Sequence, residues 1–240
     1  MAGHSKWNNI KRKKEKTDSQ RAKVFTKIGR EISVAVREGG SDPASNGKLR
    51  DLIAKAKSLN VPNENIDRLI KKAGDSDKES YEAITYEGYG PSGVAIIVSA
   101  LTDNRNRTAG DLRHYLDKYG GNLGQSGCVS FMFAQKGVIV IENNALDEDT
   151  VFEHCMEAGA DDVEFSDEAV EIYVSPADFL VVRKGLEDKG YTFASAELEY
   201  IPSTYVSLNA DDKLKMERLM DMLDDNDDVQ DYWHNWEDSE

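Results

Sequence analysis

Lys6, Lys11, Arg12, Lys13, Lys14, Lys16, Arg21, Lys23, Lys27 and Arg30 crowd into one short N-terminal stretch. Side chains of this type at this density neutralise phosphates, and the counterions they displace drive association with a polyanion. Trp7 adds a stacking surface, and Asn8 and Asn9 add polar groups of the kind that contact bases. Two other readings compete: a solvated, helix-stabilising charged face, and an anionic membrane surface. The membrane reading is the weaker, because the helix read below carries Phe25 as its one aromatic and needs its apolar face for packing. A second candidate is the segment Leu101–Thr108, read as a loop from a strand into a helix. Such loops present backbone N–H groups to anions, and Asn104, Arg105 and Arg107 would add donors and charge. Ordinary helix capping by Asp103, Asn106 or Thr108 explains the same residues.

Other chemistry finds no support. His4, His114, His154 and His234 have no partner at zinc-ligand spacing. Gly120–Gly127 is glycine-rich but precedes a strand pattern and lacks the Lys-Ser or Lys-Thr of a phosphate loop. Asp224–Asp228 lacks the glycine and closing glutamate of a calcium loop. No catalytic residue, metal, cofactor or small-molecule substrate is therefore expected.

The elements that must carry these residues follow from periodicity. Val24, Phe25, Ile28, Ile32, Ala35 and Val36 share an arc of about 120° on a helix over 19–37, and Lys23, Lys27, Arg30 and Arg37 share about 80° on the opposite side. Further amphipathic helices are predicted at 46–59 and from Pro62 to Lys72, giving a three-helix bundle. Beyond the polar stretch 75–79 the pattern changes. Strands are predicted at 81–89, 94–101, 129–133, 138–141, 163–165, 170–174, 194–200 and 229–233, with a short extended piece at 205–208. Helices are predicted at 108–119, 147–158, 176–189 and 211–223. Residues 137–201 read βαββαβ, the ferredoxin-like order. The flanking pieces 94–133 and 204–234 each read βαβ and would complete a second such unit around the first. The expectation is an α+β protein of three domains: a basic helical domain at 1–79, a discontinuous domain at 80–135 plus 203–240, and an inserted domain at 136–202.

Charge supports this division. The formal net charge is −15 over 240 residues. Residues 1–72 nevertheless hold 18 Lys and Arg against 8 Asp and Glu, a net of +10, whereas 73–240 hold 12 against 37, a net of −25. Local potential decides binding, so the acidic total does not exclude a polyanionic partner. No apolar run approaches the roughly 20 residues of a membrane span, and the polar N-terminus is unlike a signal peptide. Cys128 and Cys155 are too few for a disulfide framework and sit among apolar residues. A cytoplasmic protein is expected.

Met1–Asn8 (MAGHSKWN), Phe25–Glu31 (FTKIGRE), Tyr86–Pro91 (YEGYGP), Leu101–Thr108 (LTDNRNRT) and Asp225–Gln230 (DNDDVQ) together span nearly the whole chain. In these segments the sequence resembles the YebC/PmpR family of transcriptional regulators, which has a mitochondrial relative in the translational activator of cytochrome c oxidase. The resemblance implies an N-terminal helical domain, two α+β domains and nucleic-acid binding without catalysis. It leaves two partners open: DNA, in transcription regulation, or ribosomal RNA, in relief of translational stalling. Under the ribosomal reading Asn104, Arg105, Asn106 and Arg107 become RNA contacts. Cys128 and Trp233 depart from the expected pattern, and both read as structural. All of this requires the basic residues to face solvent. Lysines and arginines buried against the body's own carboxylates would defeat it.

Overall fold

The computed structural model describes residues 6, 7, 10, 18–75 and 81–237. The chain is α+β, with seven helices and two antiparallel sheets among the described residues. They form two compact units. One holds 18–75, 81–130 and Leu208–Trp236; the other holds Lys6, Trp7, Ile10, Phe131–Ser207 and Glu237.

The first unit opens with three helices, α1 (Asp18–Gly39), α2 (Gly47–Ser58) and α3 (Asn63–Asp75). Ile28, Ile32, Ala35 and Val36 of α1 meet Leu49 and Ala56 of α2 and Ile66 of α3 in one core. Asn46 fixes the α1–α2 corner. Its side chain caps α2 by accepting from the Leu49 N–H at 3.0 Å, and donates to the carbonyls of Ala35 and Gly40, each at 2.8 Å.

The same unit contains β1 (Glu82–Tyr89), β2 (Ala95–Thr102), α4 (Arg105–Lys118), the two-residue β3 (Asn122–Leu123), α7 (Ala210–Asp225) and β8 (Val229–His234). The sheet order is β3-β1-β2-β8, with β1 and β2 paired along their full length. Helix α4 lies on β1 and β3 beside α7, which also packs on β8. This threading differs from two symmetrical βαβ halves, because a hairpin occupies the centre of the sheet. The strand expected at 129–133 begins only at Phe133. The carboxylate of Glu87 accepts the N–H groups of Gly127, Val129 and Ser130, each at 2.8 Å, and so removes those donors from any ladder. The extended piece at 205–208 contributes only an isolated bridge at Val206.

The second unit is β4 (Phe133–Glu142), α5 (Glu148–Ala158), β5 (Asp162–Phe165), β6 (Ala169–Val174), α6 (Phe179–Asp188) and β7 (Ser195–Pro202). Its order β5-β6-β4-β7 is the ferredoxin-like arrangement. Val138–Ile141 is apolar at every position because both sheet faces are covered. Ile139 and Ile141 join Val151, Cys155, Val182 and Leu186 under the helices. Val138 and Val140 meet Trp7 and Ile10 on the opposite face. The N-terminal arm thus supplies part of this unit's core. No helix among the described residues is long and apolar enough to cross a membrane.

Candidate nucleic-acid interface

The positively charged residues selected by sequence separate into groups with different surroundings. Lys11, Arg12, Lys13, Lys14 and Lys16 lie outside the described residues, as does the side chain of Arg21. Lys6 and Trp7 lie against the ferredoxin-like sheet. The Lys6 ammonium, 11% exposed, reaches Glu197 at 3.3 Å and pairs more closely with Glu199. The backbone N–H groups of Lys6 and Trp7 donate to the Glu171 carboxylate at 3.2 and 3.1 Å, and the Trp7 indole N–H donates to Glu168 at 2.9 Å. Tyr173 also donates to Glu171, at 3.1 Å. Burial pushes the Tyr173 phenol well up, and the neighbouring Glu171 adds to the rise. Lys6 and Trp7 are therefore held by protein groups in this structure.

The basic stripe of α1 has a comparable fate. Lys23 reaches Asp225 at 2.5 Å, Lys27 donates to the Asp224 carbonyl at 3.1 Å, and Arg37 donates to the Tyr81 carbonyl at 3.1 Å. Arg30 donates to the Leu101 carbonyl at 3.0 Å, pairs with Asp228, and stacks 5.2 Å from the Tyr81 ring centre. The stripe that the helical wheel isolated is thus a seam between α1 and the acidic turn that ends α7. For Arg30 the expectation of a solvent-facing cation is corrected: with its side chain 14% exposed, it serves as an internal counter-charge. The physical reason lies in the remote Asp224–Asp228 run. Its charge is complementary to the stripe, which local periodicity cannot reveal.

Asp228 is the centre of this seam. Besides Arg30 it accepts from Arg107 at 2.8 and 3.0 Å, from Thr108 at 2.7 Å and from Thr102 at 3.2 Å. Burial alone would raise its pKa, but the hydrogen bonds from Arg107, Arg30 and Thr108 outweigh it and hold the group at about 2. Arg107 also bonds Asp103 at 2.7 Å, and its pKa is raised, chiefly by the hydrogen bonds to Asp228 and Asp103. Asn104 caps α4 by accepting from the Arg107 N–H at 3.1 Å. The cap is therefore Asn104, which the sequence offered as an anion contact, and not Asp103, Asn106 or Thr108, the residues it offered as caps; Arg107 is drawn into the acidic hub. Arg105 differs: its side chain is 67% exposed, with Glu82 at 3.5 Å.

Sequence reasoning passed over the remaining positive surface. Arg50 and Lys57 of α2 and Lys71 of α3 are exposed and have no ion-pair partner among the described residues. On α4, Arg113 is exposed and likewise unpaired. The signal for Arg50 and Lys57 was present, since both lie away from Leu49 and Ala56, the buried positions of α2.

Comparison with known proteins is consistent with this geometry. A family model described as the TACO1/YebC protein N-terminal domain matches residues 5–76, and one described as the TACO1/YebC second and third domain matches residues 81–236. A relative from Caldicellulosiruptor bescii is 59% identical over the full length of both chains, and one from Acetivibrio thermocellus is 56% identical over 98% of this chain and 99% of its own. Both carry the name "Probable transcriptional regulatory protein". A crystal structure of a conserved hypothetical protein from Aquifex aeolicus superposes with a TM-score of 0.83 at 42% identity, covering 94% of this chain and 93% of that one.

Proposed function

Because this chain belongs to the TACO1/YebC family, we propose that it is a regulator of gene expression that acts by binding nucleic acid and not by catalysis. The observation that carries this reading is charge segregation. Residues 1–72 hold a net +10, and after the α1 seam has taken its carboxylates, Arg50, Lys57 and Lys71 are still exposed without an ion-pair partner. The Lys11–Lys14 run adds four further cations in sequence. The acidic remainder repels a polyanion and so favours approach at the basic end. Lys11, Arg12, Lys13, Lys14, Lys16 and Arg21 remain the proposed contacts, joined by Arg105 and by the exposed cations of α2 and α3.

The names of the relatives favour a role in transcription regulation, for which duplex DNA is the proposed target. Ribosomal RNA is the second reading, for which the exposed Arg105 at the start of α4 is a proposed contact. Fluorescence anisotropy with labelled DNA and RNA across a potassium chloride series tests the proposal. For duplex DNA the log–log slope is about −0.9 per phosphate contacted. Replacing Lys11, Arg12, Lys13 and Lys14 by Ala flattens that slope if the reading is right. An unchanged slope, or no binding by the native protein at low salt, refutes it.

A further inference from the structure

We propose that the outer flank of α5 is a docking surface for another protein, and that its occupant is a Lys- and Arg-rich amphipathic helix anchored on Phe152 and Met156. This surface goes beyond the nucleic-acid reading above and does not depend on it. Three features of the ferredoxin-like unit, taken alone, carry it.

The first is an apolar pair left in water. Val151 and Cys155 of α5 are buried, and Ala158 packs against the same core. Phe152 and Met156 are instead 48% and 45% exposed. One turn apart, they share a flank, and with Asp149 and Glu153 they span an arc of about 100°. That flank points away from α6. His154 meets Tyr191 at 2.8 Å just beyond α6, Glu157 pairs with Lys189 at 2.7 Å, and Ala158 lies against Gly185. Phe179 of α6 rests on Gly137 of β4, whereas α5 packs on the edge strand β5. Beside the exposed pair, Val163 and Phe165 of β5 are only partly buried.

The second is charge. From Gly137 to Val182 the chain carries 13 Asp and Glu and no Lys or Arg. Glu148 and Asp149 are accounted for by their place in the first turn of α5, where the helix dipole favours acids. Glu153, Asp161 and Glu164 have no such role; they are exposed and make no ion pair among the described residues. Solvation explains the acids, but not a phenyl ring and a thioether set among them. An apolar anchor ringed by carboxylates is complementary to a cationic segment with apolar side chains of its own. The same potential repels nucleic acid and anionic lipid. A second copy of this chain fits poorly, because residues 18–75 of the basic region expose no large hydrophobic side chain among the described residues.

The third is shape, which selects a helix over a strand. Side chains at i and i+4 stand roughly 5–6 Å apart, the spacing at which a partner helix repeats its own anchors. Strand addition to β5 is opposed by the edge itself: Asp162–Phe165 is four residues long, and Asp162 and Glu164 alternate with the apolar pair. Phe152 supplies a rigid aromatic anchor, and the flexible thioether of Met156 adapts to the side chain it meets.

The test uses the full-length protein with isotope-labelled methionine methyl groups, and a fluorescein-labelled peptide of Leu and Lys. The peptide is about 14 residues long and carries its leucines on one helical face. A second peptide of the same composition has the leucines scattered around the helix. Anisotropy at low salt reads affinity, and the methyl spectrum reads the site. The one-faced peptide is expected to bind about tenfold more tightly than its isomer. Among the six methionines, Met156 is expected to shift most. Phe152→Ser and Met156→Ser should each weaken binding about tenfold. If Phe152→Ser also lowers the melting temperature, Met156→Ser and Glu153→Lys decide, since both alter exposed side chains; Glu153→Lys should weaken binding too. Equal binding of the two peptides, or a Met156 signal that stays still, leaves charge attraction alone and overturns the docking surface. So does an absence of binding by the native protein. Self-association of the native protein that Met156→Ser abolishes, or a nucleic-acid hairpin that moves the Met156 signal, overturns the choice of occupant. Met156→Ser is expected to bind nucleic acid as the native protein does, so this proposal and the nucleic-acid reading fail separately.

Discussion

Replacing Asp228 by Asn removes one charge from a site that three elements share. In the native protein the carboxylate is 5% exposed and takes Arg30 from α1, Arg107 and Thr108 from α4, and Thr102 from the end of β2. Its pKa is held at about 2, against about 3.9 for an unperturbed Asp, a difference of about 2 pKa units or roughly 2.5 kcal/mol. The substitution also leaves the Arg30 guanidinium, 14% exposed, without its counter-charge, and breaking a buried pair in this way costs about 3–5 kcal/mol. The two figures describe one interaction and do not add, so a loss of about 3 kcal/mol at pH 7 is expected. Because the folded pKa lies below the unfolded one, the Asp228 contribution is complete above about pH 4 and disappears as pH falls toward 2. Urea unfolding of both proteins from pH 7 down to pH 2.5 reads this directly. The gap in stability should be widest at neutral pH and should narrow below pH 4. A gap under about 1 kcal/mol at pH 7, or one that does not change with pH, would refute the argument that Asp228 is the charged hub of the seam.

Other consequences follow from single contacts. Glu87→Ala strips the acceptor from the Gly127, Val129 and Ser130 amides, so their hydrogen exchange should accelerate selectively; uniform exchange would contradict the role assigned to Glu87. Burial pushes the Glu87 pKa up, but those three backbone donors bring it below its usual value, so native protection of the loop should persist above about pH 4.5 and fade as pH drops through the lowered pKa. Lys6→Met keeps the stem and removes the charge that faces Glu197 and Glu199, which should destabilise the ferredoxin-like unit by about 3 kcal/mol in urea; an unchanged midpoint would mean the arm does not support that sheet.

The α+β class and the helices were legible because the apolar spacing was unambiguous. Ile28, Ile32, Ala35 and Val36 could only be one face of a helix, and their burial follows. The βαββαβ order of the ferredoxin-like unit was readable for the same reason. Val129–Phe133 misled because a distant carboxylate, Glu87, claims the N–H groups of Val129 and Ser130 at its start. The functional residues were legible in type but not in address. Local periodicity placed Lys23, Lys27 and Arg30 on a common face, and the structure places them there too. What that face meets depends on Asp224, Asp225 and Asp228, far along the chain, and no window of sequence contains both. Arg113 escaped notice for a different reason: it belongs to no recognisable motif, and its exposure is known only from the structure.

Photo-cross-linking the native protein to nucleic acid in living cells, followed by identification of both the attached nucleic acid and the cross-linked peptides, bears most directly on the central claim. The account predicts nucleic-acid adducts on peptides from the basic N-terminal region and from α4. Adducts confined to the acidic faces of α5, α6 and α7, or a yield no higher than that of a variant with Lys11, Arg12, Lys13 and Lys14 changed to Glu, would contradict it.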